Sequence, residues 1–366
     1  MEQMKIVFFT PTFNTGGYEK VVLEFANYLA KNTNNRIFIA CCHGTGKLKE
    51  LVDMRIKIFD FNCKTRTLLF KFIRLIKEEK PNVIYTGFRI YNAIAVLAKC
   101  LSGYKKVKIC ISQHGYEIDS ELLKSIYSVI LRRADLFIGV TEKLRRYEVE
   151  QLNLKCQSVV VGNPVIKAEK TNQEERKKDI VTENYKIVTC GRLSYDKNYS
   201  LAINIAKEIL NRGYNIELLV LGDGPEKETL EEEAKQLGIY DKISFLGYVT
   251  NPIDYMQECN VYLHTCDREG FGNTVVEALY AGLPVITTDC GGPVDIIEKN
   301  KYGIVIGDGR EKEAINRGAD AVVAILNGYI SFSNLRDKSL RYSVENVTID
   351  LLQAFNQGES YVEKEN

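Results

Sequence analysis

Tryptophan is absent from this chain, and histidine occurs only three times. The first absence decides nothing alone. The second, with no Cys-x-x-Cys pair, leaves too few ligands at metal-binding spacings for a zinc site. Of the 10 cysteines, Cys41 and Cys42 are adjacent and the others are scattered singly. That pattern reads as small core hydrophobes in a reducing compartment, not a disulfide framework. No stretch reaches the about 18 consecutive apolar residues of a spanning helix. Met1–Thr10 carries a lysine and a short apolar run, without the long apolar stretch and cleavage site of a signal peptide. A cytoplasmic location is expected. The Gly-x-Gly-x-x-Gly spacing of dinucleotide-binding enzymes is missing from the first β–α turn, which argues against a dehydrogenase. No nucleic-acid motif, short-period repeat or low-complexity tract is visible, and nucleic acid is not expected as a partner.

What is there suits a globular protein. A length of 366 residues is too long for one ordinary core and comfortable for two domains. Hydrophobic residues make up 45% and charged residues 27%, the mix of a soluble fold. The net charge of +1 hides an asymmetry: residues 1–165 hold 26 Lys and Arg against 15 Asp and Glu (+11), and residues 166–366 hold 23 against 33 (−10). A basic first half suggests an anionic surface beside it, and a membrane suits better than nucleic acid.

Short runs rich in β-branched residues alternate with helical patterns. The strand-like runs of the first half are Ile6–Phe9, Ile37–Cys41, Val83–Tyr85, Val107–Ser112, Leu136–Val140 and Val159–Val161, with helices such as Lys20–Ala30 and Ile90–Leu101 between them. A polar, charged stretch, Lys167–Asn184, reads as a linker. The pattern restarts at Lys186–Thr189 and continues through Glu217–Leu221, Ile243–Leu246, Val261–His264, Val285–Thr287 and Gly303–Ile306. This predicts an α/β protein with two doubly wound, Rossmann-like parallel-sheet domains, residues 1–166 and 185–340, and a helical segment over 341–366. Ligands of such sheets bind beyond the carboxyl ends of the strands.

Three segments there carry chemistry. The first loop, Pro11-Thr12-Phe13-Asn14-Thr15-Gly16-Gly17-Tyr18-Glu19, opens onto a helix. Its two glycines let backbone amides approach an anion, although a plain flexible turn explains them too. The second domain opens with Cys190-Gly191-Arg192-Leu193-Ser194-Tyr195-Asp196-Lys197-Asn198, where Arg192 and Lys197 could converge on one diphosphate. A surface Arg–Asp196 pair with a solvated Lys is the plainer alternative. The third and strongest is Asp267-Arg268-Glu269-Gly270-Phe271-Gly272-Asn273-Thr274-Val275-Val276-Glu277-Ala278-Leu279. Two glycines make a tight turn, a helix should start near Asn273, and its first amides can hold a phosphate. Glu277 lies among apolar residues, where a carboxylate is costly unless paired, and a ribose diol would pair it. Helix-dipole and structural roles explain each glutamate singly but not their joint occurrence.

Together the Gly-Gly loop, Gly-Arg-Leu-x3-Lys-Asn and Glu-Gly-Phe-Gly-Asn-x3-Glu-Ala resemble the retaining glycosyltransferases of family four, similar to those of bacterial polysaccharide and glycolipid assembly. That resemblance implies the GT-B fold, two domains facing across a cleft with the C-terminal helix returning to the first. It implies metal-independent transfer, with retention, of a sugar from a nucleotide diphosphate, UDP by family frequency. The acceptor would be a glycan or a polyprenyl-diphosphate-linked glycan. In that likeness Glu277 binds ribose, Glu269 binds donor-sugar hydroxyls, and Arg192 and Lys197 hold the diphosphate. Amides near Gly16, Gly17, Gly270, Phe271, Gly272, Asn273 and Thr274 assist, Gly247-Tyr248-Val249 reads the base, and His114 faces the transferred sugar. No Asp-x-Asp motif accompanies the site, so no metal or other cofactor is expected.

Two departures stand out. The hinge reads Val161-Gly162-Asn163-Pro164-Val165 where many members have Asn-Gly-Val-Asp, and Tyr18-Glu19 replaces the usual Ala-Glu. Basic amphipathic segments, Lys64–Lys77 and Leu122–Arg133 with Arg145 and Arg146, suit either an anionic membrane surface or packing on the sheet. Two rival functions remain open: a sugar-nucleotide epimerase of the same fold, and a non-catalytic sugar-nucleotide-binding protein.

Overall fold

A computed structural model describes residues 3–117, 119–167 and 184–356. The chain divides into two compact units, Met1–Pro164 with Tyr342–Asn366, and Val165–Arg341. Most of the segment read as a linker, residues 168–183, lies outside the described residues.

The first unit runs β1 (Lys5–Thr10), α1 (Gly17–Asn32), β2 (Arg36–Cys41), β3 (Lys57–Asp60), α2 (Thr65–Glu79), β4 (Val83–Gly87), α3 (Arg89–Ser102), β5 (Lys108–Gln113), α4 (Glu121–Leu131), β6 (Leu136–Gly139), α5 (Glu142–Gln151) and β7 (Gln157–Val160). All of its strand pairs are parallel, in the order β3-β2-β1-β4-β5-β6-β7. Alternation along β1 explains its apolar run: Ile6 and Phe8 enter one core layer, Val7 and Phe9 the other, as a sheet covered on both faces requires.

The second unit runs β8 (Tyr185–Cys190), α6 (Tyr199–Asn211), β9 (Ile216–Leu221), α7 (Lys227–Gln236), β10 (Ile243–Gly247), α8 (Pro252–Met256), β11 (Val261–His264), α9 (Asn273–Tyr280), β12 (Val285–Thr287), α10 (Gly292–Ile296), β13 (Gly303–Val305), α11 (Ala314–Leu326) and α12 (Leu335–Leu340). Its parallel sheet has the order β10-β9-β8-β11-β12-β13. The chain then returns to the first unit as α13 (Val344–Asn356), which buries Val347, Leu351, Ala354 and Phe355 in that unit's core. Lys108 Nζ donates to the carbonyls of Ala354 at 3.2 Å and Phe355 at 3.3 Å, a cation at the negative end of the helix.

Both sheets change winding direction at one place, between β1 and β4 in the first unit and between β8 and β11 in the second. Strands leave in opposite senses on the two sides, and the crevice so formed is where doubly wound sheets bind ligands. Two differences from the sequence reading are local. Strand β3 was not foreseen, because it is a four-residue edge strand with no residue fully buried. Helix α1 starts at Gly17, ahead of the expected Lys20; the first turn of a helix needs no backbone donor partner, so a glycine pair is tolerated there.

Candidate functional site

The carboxyl ends of β8 and β11 lie side by side, with Val261 opposite Ile187 and Tyr262 opposite Val188. After β8 the chain makes a single helical turn, Tyr195–Lys197, and Asn198 begins α6 at φ +48°. Asn198 binds in two directions, accepting from the Leu201 amide at 3.3 Å and donating to Asp267 Oδ1 at 3.2 Å. Asp267 N donates to Asp196 O at 2.9 Å, and Thr265 Oγ1 donates to Lys197 O at 3.1 Å. These bonds join the two loops, so Lys197 is fixed by residues about 70 positions further along the chain.

Lys197 Nζ meets Glu269 Oε2 at 2.5 Å, both side chains largely covered. Burial acts to lower the lysine pKa, but the adjacent Glu269 carboxylate outweighs it and raises the value. For Glu269 burial pushes upward, and Lys197 and then His264 hold the carboxyl below its ordinary value. The Arg192 side chain is exposed and its guanidinium has no ion-pair or hydrogen-bond partner among the described residues, while the Arg192 carbonyl accepts from Ser194 N at 2.9 Å. One cation is therefore pinned while the other is at liberty to turn toward an anion.

His264 and Cys266, which the sequence reading passed over, lie with Glu269 so that their ligand atoms fall within 4.8 Å of one another. The donor set does not fit a metal. The Cys266 thiol donates to Asp196 O at 3.2 Å and Arg268 O at 3.0 Å, and burial pushes its pKa up to about 12. The Lys197 ammonium already occupies Glu269 and would repel a second cation.

Burial also pushes His264 down to about 4, against the opposing effect of Glu269. The folded state thus keeps His264 neutral where an unfolded histidine, near 6.5, takes up a proton. More protons bind the unfolded chain in that window, so stability falls as pH drops from about 6.5 toward about 4. At about pH 5 the expected loss from this group is about 2 kcal/mol relative to neutrality. His264→Asn should remove that part of the acid slope, checked by urea denaturation at neutral and mildly acid pH.

After β11 the chain reaches Glu269, whose amide donates to Cys290 O at 2.8 Å and whose carbonyl accepts from Gly292 N at 2.8 Å. A Cβ at Gly292 would stand 2.5 Å from the carbonyl oxygens of Gly270 and Phe271, so the loop can pass only over a glycine. Gly292→Ala should cost about 1–3 kcal/mol in thermal unfolding by overpacking that loop. Gly272, at φ +101°, turns the chain into α9, a conformation that side-chain-bearing residues avoid. Asn273 and Thr274 form the helix's first turn. Thr274 Oγ1 accepts from the Tyr262 hydroxyl at 2.7 Å, which ties α9 to the sheet. Glu277, half-buried between the buried Val276 and Ala278, lies close enough to Tyr262 to act on its hydroxyl electrostatically. Gly247 ends β10 at φ +69° and its carbonyl accepts from Gly222 N at 2.7 Å. Tyr248 follows, 67% exposed, then Val249, half-buried.

In the first unit Gly16 precedes α1 in an extended conformation and Gly17 is the first helical residue. His114 follows β5. Its Nδ1 lies 3.1 Å from Asn163 Oδ1, and its Nε2 lies 3.0 Å from the Tyr85 hydroxyl and 3.1 Å from Ser112 Oγ. An amide oxygen only accepts, so Nδ1 carries the proton and Nε2 accepts. Burial lowers the ring's pKa to about 4, with Asn163 acting the other way. The neutral imidazole is thus held in one tautomer. Tyr18 packs edge-on against it at 5.0 Å and bonds Phe9 O at 2.7 Å. Asn163, in the hinge that departs from the family pattern, and Tyr85 belong to this cluster. No spacing rule announces them, since they meet His114 only through the parallel strand order.

Comparison with known proteins agrees with this architecture. The family model described as Glycosyltransferase Family 4 matches residues 15–168, and that described as Glycosyl transferases group 1 matches residues 170–325. An uncharacterized glycosyltransferase of Methanocaldococcus jannaschii is 27% identical over 66% of this chain, which spans 63% of that protein's length. The amylovoran biosynthesis glycosyltransferase of Erwinia amylovora is 26% identical over 79% of this chain and 82% of its own. An Anabaena protein, HepE, solved in complex with UDP, superposes with a TM-score of 0.77 at 18% identity, covering 96% of this chain and 99% of that one. The matched models meet almost end to end, and the chain belongs to the glycosyltransferases of family four, with their GT-B fold of two Rossmann-like domains.

Proposed function

We propose that the chain transfers a hexosyl or N-acetylhexosaminyl group from a nucleotide diphosphate sugar, a UDP-sugar first among candidates, to a glycan or lipid-linked glycan in cell-surface polysaccharide assembly. The observation that carries this reading is the Lys197–Glu269 pair at the winding switch of the second sheet, beside exposed Arg192 and the start of α9. A sugar–diphosphate bond that breaks leaves growing negative charge on the diphosphate. Arg192, Lys197 and the amides of Gly272, Asn273 and Thr274 would stabilise it. Glu277 would take the ribose diol and Glu269, with Lys197, the sugar hydroxyls. Gly247-Tyr248-Val249 would meet the base. The first unit's Gly16, Gly17 and His114 keep the roles that family likeness gives them.

The reaction is read as metal-independent and retaining. The acceptor oxygen forms its bond to the anomeric carbon on the face that the diphosphate leaves, and the acceptor proton passes to a phosphate oxygen. Dialysis against EDTA should leave transfer unchanged; loss of transfer that magnesium restores would contradict the metal-free reading. The acceptor is read as lying at an anionic membrane, on the cytoplasmic side.

A thermal-shift panel of nucleotide sugars identifies the donor, since a ligand that binds only the folded state raises its stability. The matching donor should then release nucleoside diphosphate only when acceptor is added. A changed sugar formed from donor alone would favour an epimerase, and binding without turnover a sensor.

A further inference from the structure

Helix α4 turns an apolar stripe to solvent. Leu122, Ile126 and Val129 recur at i, i+4 and i+7, one face of a helix, and are 72%, 45% and 56% exposed, with Leu123 at 42% beside them. The helix buries only Leu131 fully. Four large aliphatic groups on one short helix are more than scattered surface apolars, and such a patch marks a contact surface.

Its polar surroundings have a sign. Arg132 and Arg133 close the helix; they donate to Ser128 Oγ at 3.2 Å and Val129 O at 2.8 Å and meet no carboxylate among the described residues. The acids nearby are engaged: Glu121 pairs with Lys124 at 2.7 Å and Asp119 with Arg89 at 2.5 Å. The other amphipathic candidate, α2, packs Leu68, Phe72, Leu75 and Ile76 into the core and shows solvent one strongly exposed apolar side chain, Phe70. Its periodicity is that of a helix lying on a sheet.

We propose that the outward face of α4 is the surface by which the chain docks on an anionic lipid bilayer. Leu122, Ile126 and Val129 enter the interface while Arg132 and Arg133 meet lipid phosphates. The proposal rests on the reading of the chain as a transferase with a membrane-borne acceptor. Two observations favour a bilayer over a second copy of the chain. Four side chains fall far short of the about 20–30 residues a side of a standard protein interface. The surplus of 26 basic over 15 acidic residues in positions 1–165 suits an extended anionic surface. The loop that holds His114 leads directly into α4, so a docked bilayer would lie beside the end of the sheet that carries that residue.

The test is flotation of the full chain at low salt with vesicles of equimolar phosphatidylcholine and phosphatidylglycerol, and with phosphatidylcholine alone. The parent protein should float with the first and not the second. Replacing Leu122, Ile126 and Val129 together by Ser should reduce partitioning more than about tenfold. Replacing Arg132 and Arg133 together by Gln should reduce it about tenfold, and Phe70→Ser should not change it. Unchanged melting temperatures would show that the variants fold. Flotation of the triple variant like the parent would overturn the assignment to α4 while leaving membrane binding intact. Failure of the parent on both vesicles would overturn membrane binding itself. A concentration-dependent dimer that the triple variant loses would mean that a second copy covers this face, and would equally overturn the proposal.

Discussion

Lys197→Ala should lower kcat/KM for sugar transfer by about 10²–10³-fold, with kcat falling in parallel. The reasoning is electrostatic. Lys197 is held by the joined loops after β8 and β11, so it need not be ordered during the reaction, and its charge acts where water is largely excluded. A diphosphate gains charge as its sugar bond lengthens, so a contact to it strengthens toward the transition state and governs kcat more than binding. The same substitution leaves Glu269 without its ammonium partner in a largely covered position, at a cost of about 1–3 kcal/mol. Measuring kcat and melting temperature together separates the effects, because a folding cost appears in the melting temperature and a lost transition-state contact in kcat of the folded enzyme. Equal kcat in Lys197→Ala and the parent would remove the lysine from the chemistry.

The second large effect concerns the two glutamates, which should part company. Glu277→Ala should abolish the thermal shift given by the matching nucleotide, with affinity falling about 10–100-fold through loss of charge-assisted bonds to the ribose. Glu269→Ala should retain the shift given by the bare nucleoside diphosphate and lose the extra shift contributed by the sugar. The geometry motivates the split. Glu277 lies within α9 near Tyr262. Glu269 precedes the helix, its backbone bonded to Cys290 and Gly292 and its carboxylate on Lys197. Thermal shift with nucleotide and with nucleotide sugar, measured side by side, checks both. A bare-nucleotide shift lost in both variants, or kept in both, would contradict the assignment.

The extent to which all this was legible follows from what is local. Buried parallel strands advertise themselves as continuous β-branched runs, so the repeated βαβ order and the positions of the strand-end loops could be read directly. The turn Gly270-Phe271-Gly272 and a helix starting at Asn273 are equally local, set by glycine freedom and by the apolar pattern that follows. Strand β3 escaped because a short, half-covered edge strand has no such run. What could not be read is what the topology assembles. Lys197 and Glu269 are 72 positions apart, and their pairing depends on β11 lying next to β8. Asn163 reaches His114 across 49 positions, and His264 and Cys266 join the Glu269 cluster only because β11 ends there. Amphipathic period gave α2 and α4 equal claims on a membrane, because it reports one apolar face without saying whether sheet or solvent lies against it. Burial distinguishes them.

The central claim is that the second unit grips a diphosphate between Arg192, Lys197 and the first turn of α9, with Glu277 on the adjoining ribose. Crystals of the chain grown with whichever of UDP or GDP gives the larger thermal shift test it most directly. The account predicts phosphate oxygens about 3 Å from Lys197 Nζ and from the amides of Asn273 and Thr274, and ribose hydroxyls at the same reach of the Glu277 carboxylate. Nucleotide bound elsewhere on the chain, with those groups untouched, would contradict it.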